Sequence, residues 1–342
     1  MTASAPRTPR WTELVERLRP VEKRAAALDA FRFEGFRASA SDCDFVLRFL
    51  PGRPRIGLAA SARLAAAPPR RALHVMGRLA RSLDALGPAL AALHEAQERP
   101  ARLRLNVDDV GGRDGLCFDR PAGSDWPLLP DLYLLRHVRS ARPVPQRDPA
   151  AAAAEFTSRR PVLFWRGATT GGVIRSLDDL ATNPRVRACL LAREQLAEHA
   201  DCRVVEVTAA PALVPEAEAW LAARDLSGPR VPQAEFARHR MTLDLAGHAA
   251  AWGSYARYLE GTLVLRVAHG RELFYYPMLK PWTHYVPVAA DLGDLRERAE
   301  WALANTDQAA RIAQAGHELM AGLLEALPAL TLDALRAALR PG

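Results

Sequence analysis

Lysine is almost absent from this chain. Among 46 basic residues, only Lys23 and Lys280 are lysine. An ammonium is a compact point charge and a guanidinium a planar fork, so the two do not interchange at a tight site. A lysine that persists where nearly every other cation is arginine is a candidate functional cation, set against the plainer reading that it is chance. Cysteine is scarce too. Cys43, Cys117, Cys189 and Cys202 are widely spaced with no CxxC pair. That excludes a zinc ribbon or disulfide framework and leaves buried free thiols as the expectation. No apolar run approaches the ~18 residues of a membrane span. The first residues, MTASAPRTPRW, are basic with no apolar segment behind them, so they read as a short disordered arm over residues 1–10 and not as a secretory signal. GxGxxG, GxSxG, HExxH and the GxxxxGK[ST] loop are all missing. His74, His94, His137, His199, His239, His269 and His317 show no metal-ligand spacing, so no metal site is expected. The net charge is +7 and the pI about 9.7, which suits an anionic partner. The charges are dispersed, however, and no basic block interleaves with aromatics, which argues against nucleic acid.

What is present has the order of an α/β protein. At 342 residues the length suits two domains. Residues 11–150 read as a first domain: a helical lead-in over 11–30, strands at FRFEGFRAS and DFVLRFL, an amphipathic helical region over 70–98 interrupted at Gly87-Pro88, then strands at 102–110, GLCFD and 128–136. Residues 139–160, rich in Pro, Ala and Arg, read as a linker ending in a short helix. Residues 151–325 alternate strand and helix more clearly, which implies a parallel sheet with helices on both faces. In that stretch Asp294 and Glu297 are spaced as a capping pair. Two further helical stretches, 307–326 and 331–340, finish the chain, and residues 326–342 could pack back on the first domain.

Three segments carry groups suited to chemistry. WRGATTGG, Trp165 to Gly172, follows a strand and offers a guanidinium, two hydroxyls and glycine amides, the groups that hold a diphosphate. The plain alternative is a solvent-exposed turn beside a buried tryptophan. LAGHAAA, Leu245 to Ala251, puts small residues at a helix start, where an anion can approach free N–H groups; close helix–strand packing needs small residues equally. Asp108-Asp109 ends a strand. Successive strand residues face opposite ways, so one of them could enter a site as general base, although isolated strand-end carboxylates are mostly turn-formers. Residues 241–288 also hold five of the six tyrosines, together with Lys280 and His284. His284 could donate to phosphate or simply pack.

Taken together, VLFWRGATTGG, NPRVRACLLA, FARHRMTLDLAGHAAAW, YLEGTLVLRV and LFYYPMLKPWTHYVPV resemble glycosyltransferase family 90 in order and spacing. This is the family of capsule-associated xylosyltransferases, protein O-glucosyltransferases and lipopolysaccharide-modifying transferases. The resemblance spans roughly residues 160–322 and is weak in the first half. It implies a GT-B-like α/β fold of two Rossmann-like domains facing a cleft, and inversion at the sugar's anomeric carbon without a metal. No cofactor is implied; a UDP-sugar serves as co-substrate. It puts the base at Asp109, with Asp108 as fallback, and a diphosphate ligand at Arg166. The donor side would include Gly167, Thr169, Gly247, Ala249, Ala250, Lys280 and His284. The sequence departs from the family where Ala251 replaces a serine and Gly253 an arginine that binds donor phosphate in relatives; Arg257, one turn on, is the expected substitute. Partners implied are a UDP-sugar donor, a glycan or lipid-linked saccharide acceptor and an anionic membrane surface, but no nucleic acid. The expected location is cytoplasmic, peripheral at the inner membrane face. A binding or scaffold protein that has lost catalysis is the competing reading.

Overall fold

In a computed structural model, the residues described are 30–37, 43–61, 64, 67–108, 114–139 and 148–342. The arm expected over residues 1–10 and nearly all of the helical lead-in lie outside them. The chain divides into two compact units, Met1–Arg139 with Ala326–Gly342, and Ser140–Glu325.

The first unit is built on a mixed sheet. Its strands are β1 (Phe31–Arg37), β2 (Phe45–Phe49), β3 (Ile56–Ser61), β4 (Ala101–Leu105) and a C-terminal strand, Arg340–Pro341. The spatial order is β1, β3, β2, β4 and the C-terminal strand. Only β1 and β3 run parallel; the other pairings are antiparallel. The α/β class thus holds here, with a mixed sheet. Along β2, Phe45, Leu47 and Phe49 are buried and the residues between them are less so, the period-two pattern of a sheet with one apolar face. Helix α1 (Pro69–Glu95) begins with a proline near its first turn, where the missing N–H costs nothing. Met76, Leu79, Leu83, Leu86, Leu90 and Leu93 bury one stripe of it.

Two expectations fail in this unit, and one strand was not expected. The helix does not stop at Gly87-Pro88 but runs on to Glu95, because the apolar stripe continues past the proline and outweighs its lost bond. Residues 128–136 do not end the unit as a strand. They turn into helix α2 (Leu132–Arg139), whose first N–H groups are accepted by Asp131 Oδ1 at 2.9 Å from Tyr133 and 3.1 Å from Leu134. Strand β3, IGLAAS, is buried along nearly its whole length and therefore shows no alternation.

The second unit is a five-stranded parallel sheet. Its strands are β5 (Arg160–Ala168), β6 (Ala200–Glu206), β7 (His239–Asp244), β8 (Leu263–Val267) and β9 (Val286–Val288). Their spatial order is β9, β8, β7, β5, β6, all pairs parallel. Val162–Trp165, Met241–Leu245 and Leu263–Leu265 are continuous buried runs, as expected for strands covered on both faces. Helices α3 (Pro149–Phe156), α4 (Leu177–Thr182), α5 (Pro184–Leu196), α6 (Val214–Ala222), α7 (Tyr255–Leu259), α8 (Leu295–Ala304) and α9 (Thr306–Ala338) accompany the strands. Helix α7 is far shorter than expected; residues 248–254 stay irregular, and Gly253, a poor helix former, sits just ahead of it. Helix α9 is one helix, with Pro328 inside it, not two stretches. The Asp294–Glu297 capping box does not form. Asp294 accepts from Ala289 N–H and Arg298 Nε, and Glu297 pairs with Arg298. All four cysteines are buried and free. Among the described residues no helix is long and apolar enough to cross a membrane.

Candidate functional site

From β5 the chain moves to β6 on one side, and β7 returns on the other side of β5. That reversal is a topological switch point, and in an open parallel sheet ligands bind just beyond the carboxyl ends of the strands flanking it. The two small-residue turns of the sequence, 169–172 and 245–250, follow β5 and β7 at this point. They touch. A side chain added at Gly171, whose φ is +111°, would meet Gly247 at 3.5 Å. One added at Gly247 would lie 2.6 Å from Thr170 Oγ1 and 3.0 Å from Arg185 Nη2.

Two residues of the NPRVR segment hold this pair of turns. Asn183 starts α5, its Oδ1 accepting from Arg185 and Val186 N–H at 3.0 and 3.4 Å, while its Nδ2 donates to Thr169 and Thr170 carbonyls at 3.2 and 3.4 Å. Arg185 bridges both strand ends. It donates from Nη1 to Ala168 O at 3.1 Å, from Nη2 to Leu245 O at 2.9 Å and from Nε to Ala246 O at 3.0 Å. Burial lowers its pKa to about 10, against the pull of Asp244. Neither residue was singled out from sequence. Asn-Pro ahead of a helix is a cap signal that could have found Asn183.

Several predicted donor residues make close contacts within the protein. Arg166 faces β6, donating to Asp201 O at 2.7 Å and Asp201 Oδ2 at 2.8 Å, with its guanidinium 4.3 Å from the Phe164 ring centroid. Gly167 is needed because a side chain there would strike the Trp165 ring. Thr169 is fully buried, its hydroxyl accepting from Thr208 N–H at 2.8 Å. Ala249 and Ala250 are buried and lie ahead of α7, not within it. A helix of five residues starting at Tyr255 presents no N-terminus to an anion at this turn. Gly247 follows the packing alternative: smallness there serves the contact between turns. Arg257 donates to Gln233 Oε1 at 2.6 Å and lies 3.2 Å from the Phe236 ring centroid; burial lowers it to about 10. It is not held open as a substitute phosphate ligand.

Thr170 and Gly171 are half-buried and Gly172 is exposed, and the loop carrying Lys280 and His284 lies at the surface. Lys280 is exposed and His284 half-buried. The Lys280 N–H donates to His284 Nδ1 at 3.0 Å, and the His284 N–H returns to Lys280 O at 2.9 Å. Accepting at Nδ1 puts the ring proton of neutral His284 on Nε2, a donor. Burial, and then the Lys280 charge, lower its pKa. Trp282, in the same loop, has φ +59°, a costly left-handed conformation for a non-glycine residue, and packs edge-on against Trp301 at 4.9 Å. Gly316 of α9 backs the loop; a side chain there would lie 2.6 Å from His284 O.

Beneath lies a buried charge centre. Asp244, at the end of β7, is 1% exposed, and burial raises its pKa although Arg266, Arg257 and Arg185 pull it down. Arg266 is 3.9 Å from it and 3.5 Å from the Tyr276 ring centroid. Tyr255, Tyr258, Tyr275 and Tyr276 are all buried, and Ser254 Oγ lies 2.6 Å from Tyr275 OH. The tyrosine-rich stretch is therefore mostly core.

In the first unit, Asp109 lies outside the described residues. Asp108 is nearly buried and ion-paired with Arg71. The strand end ahead of it is clamped reciprocally: Asp44 N–H donates to Asn106 Oδ1 and Val107 N–H to Asp44 Oδ2, both at 3.1 Å. Asp44 carried no motif and was missed. Among the described residues no group of three or more His, Cys, Asp or Glu could hold a metal.

The family model described as "Glycosyl transferase family 90" matches residues 146–326, more than half of the chain. The rat protein O-glucosyltransferase 1 is 31% identical over 112 residues, covering 32% of this chain and 29% of the relative. The mouse protein O-glucosyltransferase 3 is 34% identical over 91 residues, 27% of this chain and 18% of the relative. This chain thus spans less than a third of the length of these curated relatives. A solved structure of Anabaena HepE in complex with UDP and glucose superposes at a TM-score of 0.37 with 11% identity, over 57% of this chain and 54% of that one; at that score the description of the fold rests on the two sheets themselves.

Proposed function

The chain belongs to glycosyl transferase family 90, and on that premise we propose that it is an inverting, metal-independent transferase. It would move a glucose- or xylose-type sugar from a UDP-sugar to a hydroxyl of an envelope glycan or lipopolysaccharide-type acceptor. The observation that carries the donor side is the pairing of the two turns at the switch point of the parallel sheet, stapled by Arg185 and Asn183. Thr170, the Gly171 and Gly172 amides, Lys280 and the Nε2–H of His284 are the donors for the diphosphate. In the reaction the acceptor oxygen bonds to the anomeric carbon as the bond from that carbon to the UDP oxygen breaks. The acceptor's proton passes to Asp109, with Asp108 as fallback, and the donor-side cations and N–H groups stabilise the departing charge. The positive net charge suits a lipid-linked or phosphorylated acceptor at the inner membrane face.

A second reading has support in particular residues. Gly253 and Ala251 stand where relatives carry a phosphate-binding arginine and a serine, and Arg257 is engaged with Gln233 and Phe236. On this reading the protein binds a UDP-sugar without transferring it. Titration calorimetry with UDP, UDP-glucose and UDP-xylose on wild type and Asp109→Asn separates the two. Binding by both proteins, with turnover lost only in Asp109→Asn, supports the transferase. Binding without turnover in wild type, across glycan and protein acceptors, supports the second reading. No binding at millimolar UDP species overturns both.

A further inference from the structure

The first unit holds a cavity of about 370 Å³ lined by Ala85, Pro88, Ala89 and Ala92 of α1, Leu135 of α2, and Leu327, Pro328, Thr331 and Leu332 of α9. Its cause is legible in the residues. Pro88 and Pro328 both stand inside helices, where each removes an N–H bond and crowds the preceding turn. Both line this one cavity. Ala85, Ala89 and Ala92 fall on one stripe of α1, where larger side chains would close the space. The single hydroxyl in the lining, Thr331 Oγ1, is spent on Leu327 O at 2.7 Å. The lining is thus mostly apolar, and its volume lies in the range of ligand sites.

We propose that this cavity binds the hydrocarbon chain of an amphiphile with an anionic head, the lipid portion of an acceptor. An occupant with polar atoms inside would leave them unpaired, which selects an alkyl or isoprenoid chain. The space is long enough in lining residues, from Ala85 to Ala92 along α1, to take an alkyl chain of several methylenes. Charge fits the head. Arg136 follows Leu135 and is exposed, and Arg336 lies one turn beyond Leu332, held to Asp333 at 3.7 Å. The role of the bound chain rests on the transferase reading above; the cavity's ligand does not.

The test uses the full chain and dodecyl phosphate, kept below its micelle-forming concentration, with hexyl phosphate and inorganic phosphate as controls. Dodecyl phosphate binds one-to-one, hexyl phosphate roughly tenfold or more weaker, and inorganic phosphate does not compete. Ala89→Phe fills the cavity and weakens dodecyl phosphate roughly tenfold or more, with UDP affinity unchanged. If Ala89→Phe fails to fold, the milder Ala92→Leu replaces it. Failure of wild type to bind dodecyl phosphate, or unchanged binding in the filled variant, overturns the proposal. A concentration-dependent dimer that the filled variant abolishes would assign the cavity to a second copy and overturn it too. Loss of the alkyl site with UDP binding intact leaves the transferase reading standing; alkyl binding without any UDP binding removes that reading alone.

Discussion

Two helix caps in this molecule meet the same need with different chemistry. Asn183 in the second unit and Asp131 in the first are both essentially buried, and each accepts two N–H groups at the start of a helix. The amide has donors left over, and Asn183 spends them on the carbonyls of Thr169 and Thr170. One side chain thus starts α5 and fixes the turn after β5. The carboxyl of Asp131 can only accept when ionised. Its Oδ2 is buried with no hydrogen-bond partner, and burial, with Asp119 adding repulsion, raises its pKa to about 7 although the capped N–H groups pull it down. A buried cap that both donates and accepts can order a neighbouring loop; one that only accepts leaves a polar atom stranded.

The largest expected effect comes from making the two caps alike. Asn183→Asp removes both donated bonds and turns a carboxylate oxygen toward two carbonyls. At about 1–3 kcal/mol per stranded buried group, the loss should be on the order of 3 kcal/mol, with UDP affinity falling alongside. Urea unfolding and calorimetry check this. A loss under about 1 kcal/mol would mean that Asn183 does not hold the turn.

The converse change sharpens the comparison through pH. With a folded pKa about 7 and an unfolded value near 3.8, Asp131 is protonated in the folded state alone between those values. Its contribution to stability therefore rises as pH falls through 7, by about 1.4 kcal/mol between pH 8 and pH 6. Asp131→Asn should remove that slope. His137, His269 and His284 work in the opposite direction, because burial lowers all three and folding loses stability as they are forced to charge below their unfolded values. The difference between wild type and Asp131→Asn, measured at several pH values, isolates the carboxyl; parallel curves would refute the assignment.

The same contrast explains what could be read in the sequence. The parallel sheet was legible because its strands are continuous apolar runs broken by helices, and the two turns stood out by composition. What could not be read was partnership. Arg166 and Arg185 are equally plausible phosphate ligands in a string of letters. Only the fold shows that Asp201, on the neighbouring strand, takes the first and that three carbonyls take the second. Asp131 looked like the middle of a strand because a cap is recognised by the N–H groups it meets. Strand β3 escaped because burial on both faces erases alternation. Lys280 and His284 were legible as residue types, whereas the imidazole's fixed tautomer depends on a main-chain contact.

Glycine provides a smaller and more selective way to break the turn pair. Gly247 is closed in by Thr170 and Arg185, whereas nothing lies within 4 Å of a side chain added at Gly253. Gly247→Ala must push Thr170 or the staple aside and should cost about 1–3 kcal/mol, as overpacking does. Gly253→Ala should be neutral within about 0.5 kcal/mol. Equal costs at the two glycines would show that the turns are not packed as described.

The mildest change restores what the sequence lacks. Gly253 is exposed with open space around its Cα, and its φ is not in the left-handed region, so an arginine fits there without strain. If the missing guanidinium limits donor binding, Gly253→Arg should tighten UDP severalfold, the equivalent of about 1 kcal/mol, while the unfolding curve stays in place. Tighter UDP binding without turnover would separate binding from catalysis and favour the non-transferring reading. Unchanged binding would mean that Lys280, His284 and the amides of the turn already supply the donor-side charge, and that the departure at Gly253 is tolerated because those groups are sufficient.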